Sequence, residues 1–333
     1  MSGSLTEITE IATALGVLAP DLDGAIRWRP AALHNVPDDV WLRLGDAHRD
    51  GEHATAFRTA FANGRAFLRA DDGLRGRTPR RVEWKGPHQP PGDDVIPCDL
   101  RIDHVYLVSC KYLSRVLLNA GPQRLFTRLL VGDERSTSNW FSVCAAHEYE
   151  ALYRSAVSAT SVTLFPETPD AMTRSHQTAL RDRLRERSWP EPCRAPWSDL
   201  CRAVSKESAS RWQGAMPTPR EQLRVLWRML RISDASYFVL GAERSESLRL
   251  RIDSAWDWHQ QFELRAFEVS PGESGQPEVS WRASVRDRHD RSAHDVEGHV
   301  EIRWSHGRFN GVPEAKVYLD TPLRAVPGYH QLT

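Results

Sequence analysis

The run Cys98-Asp99-Leu100-Arg101-Ile102-Asp103-His104-Val105-Tyr106-Leu107-Val108-Ser109-Cys110-Lys111 decides how the chain is read. An acidic stretch leads into Asp103-His104, where aspartate favours a turn, and an apolar run follows from Val105. The pattern predicts strands over Val95–Ile102 and Val105–Lys111 joined by a tight hairpin. Lys111 ends the second strand. Lysine is scarce, at four residues (Lys85, Lys111, Lys206 and Lys316) among 44 lysines and arginines. A compact ammonium at the tip of a buried strand, facing two aspartates, does work that a planar guanidinium cannot.

Working outward, Val82–Gly86 is a third strand candidate, separated from the hairpin by the Pro- and Gly-rich segment Gly86–Asp94. Before it, residues 52–68 space Ala54, Phe57, Phe61 and Phe67 as one face of an amphipathic helix. The loop between them holds Arg69, Arg75, Arg77, Arg80 and Arg81. Upstream, a short helical pattern (Leu5 to Leu15) is mixed with loop-like text through the first forty residues. Downstream, Leu113–Leu118, Pro122–Leu130 and 146–158 read as helical, as do 172–188, 196–213 and 218–231. The last of these opens on the start signal Thr218-Pro219-Arg220-Glu221. From Ser236 the texture changes to strand candidates at 237–240, 248–252, 261–269, 279–285, 300–304 and 315–319, with Arg286–Gly298 a polar loop. The expected organisation is an N-terminal extension (1–50), an α/β (mixed) core with a helical insertion (51–232) and a β-rich C-terminal domain (233–333).

Composition sets limits. A length of 333 residues suffices for one large domain or two ordinary ones. The formal net charge is zero, so no global field draws the protein to a polyanion, and such binding would rest on local arginine clusters. No apolar run is long enough to span a membrane, and the acidic, polar N-terminus is unlike a signal peptide, which predicts a cytoplasmic protein without membrane partners. Five cysteines without a CxxC pair argue against a disulfide framework and a structural zinc site. GxxxxGK[ST], GxGxxG and GxSxG are absent, which excludes the commonest nucleotide-binding and serine-hydrolase signatures.

The order helix, strand, strand, hairpin, strand, helix over about residues 50–135 resembles the core of the PD-(D/E)xK nuclease superfamily. Pro97-Cys98-Asp99 resembles its "PD" element and Ser109-Cys110-Lys111 its "(D/E)xK" element. The resemblance implies a restriction-endonuclease-like core, with added helices and the β-rich C-terminal portion. It further implies a Mg²⁺- or Mn²⁺-dependent endonuclease acting on DNA, in settings such as restriction, repair or anti-phage defence. Asp99 would be a metal carboxylate and Lys111 the catalytic cation. Residues two apart on a strand share a face, so position 109 would normally carry an acid facing the metal, and here it is Ser109. Asp103, four residues from Asp99, and Glu83 on the preceding strand are the candidate replacements. Glu83 could also be the extra acid that some members carry ahead of the motif.

A second register competes. Glu83-Trp84-Lys85 is a literal ExK with Asp72 eleven residues upstream, but the text around it has little of a core strand. Arg75, Arg77, Arg80 and Arg81 are the candidate phosphate contacts, because guanidinium groups fork onto phosphate oxygens. A homodimer would suit symmetric duplex cleavage. The alternative function is a non-catalytic nucleic-acid- or protein-binding module with a degenerate nuclease-like core, which Ser109 favours. His289, His294, His299 and His306 lack metal-ligand spacing. The hairpin-like Trp304–Phe309 reads as aromatics packed into a β core rather than as a base-stacking surface.

Overall fold

The computed structural model describes residues 2–86, 98–112, 116–132, 138–160, 165–186, 188–243, 246–272 and 275–333. In chain order the elements are α1 (Ser2–Leu18), α2 (Leu22–Trp28), β1 (Leu33–His34), α3 (Asp38–Arg49), α4 (Ala54–Arg69), β2 (Val82–Trp84), β3 (Leu100–Ile102), β4 (Tyr106–Lys111), β5 (Val116–Ala120), α5 (Pro122–Phe126), α6 (Trp140–Ala159), α7 (Arg174–Arg183), α8 (Glu191–Ala215), α9 (Pro219–Met229), β6 (Tyr237–Glu243), β7 (Glu246–Ile252), α10 (Ala255–Gln261), β8 (Phe262–Pro271), β9 (Glu278–Asp287), β10 (Ala293–Trp304), β11 (Pro313–Leu319) and β12 (Tyr329–Gln331). The chain is mixed α/β and divides into two compact units that are not consecutive in sequence. One comprises 1–114, 231–262 and 323–333, and the other 115–230 and 263–322.

The first unit is built on a seven-stranded mixed sheet ordered β1-β2-β3-β4-β6-β7-β12. β2, β3 and β4 form an antiparallel meander, and β6 joins β4 in parallel. The alternation of the strands puts Val82, Trp84, Leu100, Ile102, Val108, Phe238 and Leu240 on one face. There they meet Ile8, Ile11 and Leu15 of α1 and Phe57, Ala60 and Phe67 of α4 in a single core. Each such large side chain contributes about 1.5–3 kcal/mol when removed from water. α1 and α4 cross at Gly16 and Gly64. A Cβ on Gly64 would come 2.1 Å from the Thr13 carbonyl oxygen, so only glycine permits this approach. The approach matters because it presses α1 down onto the sheet. The segment expected as an N-terminal extension therefore supplies the central helix of this unit, and α2 occupies text that reads as loop.

The second unit carries a five-stranded sheet ordered β5-β11-β10-β9-β8. Inward-facing Val279, Trp281, Ala283, Val296, Val300 and Ile302 are buried, and α8 lies against β9. Two sequence expectations are corrected here. Leu113–Leu118 does not form a helix in its described part, since Val116–Ala120 is β5, paired with β11. Residues 286–298 are not a loop throughout. They turn between β9 and β10, which pair from Ala293↔Arg286 to Glu301↔Glu278. The expected C-terminal β domain is shared between both sheets, with β6, β7 and β12 in the first unit and β8–β11 in the second. Trp304 and Phe309 are buried and pack on Phe141 and Tyr149, as the packing reading predicts. Among the described residues no helix is long and apolar enough to cross a membrane, and the five cysteines are thiols outside any disulfide.

Candidate active site

β3 stops pairing at Leu100, and the chain just before it turns its polar groups onto the end of β4. The Asp99 N–H donates to the Val108 carbonyl (2.9 Å) and the Lys85 N–H to the Asp99 carbonyl (2.9 Å). The Asp99 carboxylate then takes the place of a missing strand. Its Oδ2 accepts from the Cys110 N–H at 2.6 Å and from the Ser109 hydroxyl at 3.3 Å. Ser109 is fully buried. Ser109 thus serves as a donor that orients Asp99. Asp99→Ala is expected to cost about 1–3 kcal/mol by leaving the Cys110 N–H without its acceptor. Asp99→Asn keeps an oxygen there and should cost less than half as much. Urea melts of the two variants decide the point, and equal costs would mean that charge, not the N–H contact, governs.

Lys111 ends β4 beside Gly241 of β6. A Cβ at Gly241 would lie 2.0 Å from the Lys111 carbonyl oxygen, so glycine is what lets β6 close against β4 at this point. Asn63 of α4 donates to the Gly241 carbonyl at 2.7 Å and pins the same edge. The ammonium is half-buried. Burial lowers its pKa, Arg231 lowers it further, and the charges of Asp99 and Glu10 oppose them. Among the described residues no carboxylate reaches ion-pair distance of Lys111, so it is coupled to these acids through space and not tied to one of them. The neighbouring Cys110 thiol is pushed well up by burial first and by Asp99 second, which leaves it protonated and unreactive.

Glu10 is the residue that the sequence reading missed. It lies on α1, is 8% exposed and accepts a 2.6 Å hydrogen bond from the Trp84 indole through Oε2. Its carboxyl is pushed up to about 7, chiefly by burial and next by the charge of Asp99, while the Trp84 bond and Lys111 act against the rise. The sequence held one signal. Glu10 is the single charge in the otherwise uncharged helical span Ile8–Leu18, and an acid in a helix buried on most sides calls for a partner.

The other expected ligands lie elsewhere. Asp103 sits in the hairpin turn at φ +48°. Its Oδ1 accepts from the Arg80 and Arg81 N–H groups, and its Oδ2 from Arg77 at 2.6 Å. Burial acts to raise its pKa, but Arg77 and the two N–H groups outweigh it and hold it below the usual carboxylate range. Glu83 is enclosed by Arg101 (2.7 Å), Arg81 (3.0 Å) and His104 (3.5 Å), and the Arg101 hydrogen bond leads in lowering its pKa. Among the described residues no three His, Cys, Asp or Glu side chains are arranged to hold a metal ion. Neither Asp103 nor Glu83 joins Asp99 in such a group.

The competing register fares no better. Asp72 is exposed in the turn after α4 and takes a 3.4 Å hydrogen bond from Thr333, while Glu83 and Lys85 face the arginines and the backbone of Asp99. Pro97 of the "PD" element lies outside the described residues. In the second unit His299 bonds Asp320 and stacks on Tyr318, and Lys316 pairs with Glu314 at 3.8 Å.

No family model matches the chain, and no curated protein or solved structure is significantly similar to it.

Proposed function

We propose that the protein is a cytoplasmic, metal-dependent nuclease that hydrolyses DNA phosphodiester bonds at the corner defined by Asp99, Lys111 and Glu10. One observation carries this reading. The buried Glu10 carboxyl of α1 holds the Trp84 indole, Asp99 caps the end of β4 through Ser109 and Cys110, and the half-buried Lys111 ammonium ends the same strand with no described carboxylate in ion-pair reach. Such an arrangement is costly for folding alone and is typical of a site built for a cation and an anion together. The helix–strand–strand–strand order of α4, β2, β3 and β4, with Asp99 just before β3 and Lys111 at the end of β4, supports the restriction-endonuclease-like reading.

The donor set suits Mg²⁺ or Mn²⁺. Such ions take one or two carboxylates and keep several waters. Asp99 Oδ1 and Glu10 Oε1 accept no bond from the protein among the described residues, and these are the oxygens that would hold the ion. Glu10, not Glu83, fills the place of an extra acid ahead of the motif. A bound divalent ion would polarise the phosphate and acidify water. The chain's own groups do the rest. Ser109 and the Cys110 N–H fix the Asp99 carboxylate plane. Lys111 presents N–H donors to the attacking water and to the phosphate oxygen on which charge develops. The loop arginines Arg75, Arg77, Arg80 and Arg81 would meet the DNA backbone, and two copies of the chain would suit cleavage of both strands.

A second reading, a non-catalytic nucleic-acid-binding module, is favoured by the absence of a third acid at the site among the described residues. Incubation with supercoiled, linear and single-stranded DNA separates the two. Cleavage with Mg²⁺ or Mn²⁺ and none with EDTA is the expected result. Binding without cleavage under every metal would leave the module, and neither binding nor cleavage would remove both.

A further inference from the structure

A cavity of about 260 Å³ opens between α1 and α3 of the first unit. Its lining follows from helical spacing. Val40, Leu44 and Ala47 recur at i, i+4 and i+7 along α3 and set one apolar stripe toward Ile8 and Ile11 of α1. Ile8, Ile11, Val40 and Leu44 belong to the buried core of the unit, so the floor of the cavity is apolar and held in place. The charged part of the lining is one-sided. Glu7, Asp46, Asp50 and Glu52 stand against Arg43 alone.

At one end these charges are settled within the protein, since Arg43 pairs with Asp39 at 2.7 Å and with Glu7 at 3.4 Å. At the other end they are not. Asp46 takes Arg49 at 2.9 Å, but the exposed carboxylates of Asp50 and Glu52 have no hydrogen-bond or ion-pair partner among the described residues. With Asp39 and Arg49 included and histidines neutral, five carboxylates face two guanidiniums, and His48 turns away to Asp23. The unpaired acids also lie where α3 ends. A helix C-terminus carries negative partial charge and favours cations, and like charges at i, i+4, as Asp46 and Asp50 are, repel. Carboxylates placed there weaken the helix, and a cation among them offsets that cost. Size narrows the occupant. The cavity lies just below the range of drug-sized pockets, about 300–1,000 Å³. Its stripe from Val40 to Ala47 runs roughly 10 Å, which suits a short alkyl chain and leaves no room for a helix about 10–12 Å across.

We infer that this cavity binds a small primary aliphatic amine, with its ammonium among Asp46, Asp50 and Glu52 and its alkyl body on Ile8, Ile11, Val40 and Leu44. An ammonium brings three donors to carboxylates that lack other partners, and such charge-assisted bonds are the strong ones. The alkyl body gains by leaving water for the apolar floor. The site shares no residue with the corner of Asp99, Lys111 and Glu10, so it stands or falls independently of the nuclease reading.

The test titrates the full chain with n-hexylammonium chloride by calorimetry at pH 7 and constant ionic strength. Propyl-, butyl- and pentylammonium, 1-hexanol and hexanoate are compared with it. Affinity should rise about fourfold for each methylene added from propyl- to hexylammonium, as burial of one CH₂ predicts, and hexanol and hexanoate should bind at least tenfold more weakly than hexylammonium. Asp50→Asn with Glu52→Gln changes two exposed side chains, with circular dichroism as the folding check, and should weaken hexylammonium about tenfold or more. Glu191→Gln with Asp199→Asn removes the same charge from exposed positions on α8 and should bind as wild type. The proposal is overturned if hexylammonium does not bind, if affinity ignores chain length, if hexanol matches it, or if the Asp50 and Glu52 variant is no weaker than the α8 control. Nα-acetyl-lysine amide binding more tightly than butylammonium would mean a site for a protein's lysine side chain and would also overturn the free-amine assignment.

Discussion

Lys111→Ala is expected to lower metal-dependent DNA cleavage by about 10²–10³-fold, the usual cost of removing one charge-stabilising donor from a hydrolytic site, while leaving the protein folded. The second half of that statement follows from its surroundings. The ammonium is half-buried, and burial and Arg231 both act against its charge. Its removal therefore relieves desolvation and orphans no ion-pair partner among the described residues. Lys111→Arg should rescue little. A guanidinium is planar, bulkier and held at strand end beside Gly241, where the Lys111 backbone already meets β6 at its closest, and it cannot place a compact charge at the same point. The comparison is read from initial rates on supercoiled plasmid at saturating Mg²⁺, with melting temperature as the folding check. Cleavage by Lys111→Ala at the wild-type rate would remove Lys111 from the chemistry.

Glu10→Gln should change stability in a pH-dependent manner. In the folded chain the Glu10 carboxyl is pushed up to about 7, against 4.5 for an unperturbed glutamate. Between these values the folded state keeps a proton that the unfolded state has lost, so the free energy of unfolding falls as pH rises through that window. Below pH 4.5 the carboxyl is neutral in both states and carries no penalty. Above pH 7 it is ionised in both, and the full penalty of a buried charge beside Asp99 applies, roughly 3 kcal/mol from the shift. Glutamine keeps an acceptor for the Trp84 indole and never ionises. The variant should match wild type near pH 4 and exceed it by up to about 3 kcal/mol at pH 8. Urea midpoints across that range measure the difference. A gap that does not grow with pH would mean that Glu10 is not the strained acid of this fold.

The strand pair at the centre of the site was legible because its determinants are local. Asp103-His104 marks a turn, Leu100, Ile102 and Val108 alternate, and Lys111 marks where the apolar run ends. Elements that depend on distant partners were not legible in the same way. Val116–Ala120 is a short apolar run that suits a helix or a strand, and its pairing with Ala315–Tyr318, almost two hundred residues later, settles it. Residues 293–298 read as a loop because their outward positions are charged. Only Val296 and Gly298 turn inward, too few to announce a strand. The site was half legible. Asp99 and Lys111 were visible as residues, and Ser109 as a departure from the motif. The burial that makes Glu10 an acid in need of a partner arises only when α1 is pressed against Trp84. Glu83 and Asp103 were chosen as acids near the motif. Spacing alone could not reveal that each would be taken by arginines from the loop and the neighbouring strand.

The central claim is that Glu10 and Asp99 together hold a divalent cation. It is tested most directly by the melting temperature at pH 8 with and without Mn²⁺, for wild type and for Glu10→Gln combined with Asp99→Asn. A ligand that binds only the folded state raises stability by mass action. Wild type should be stabilised by millimolar Mn²⁺, recovering much of what ionised Glu10 costs, and the double variant should be unmoved. Equal shifts in both proteins, or none in either, would contradict the account.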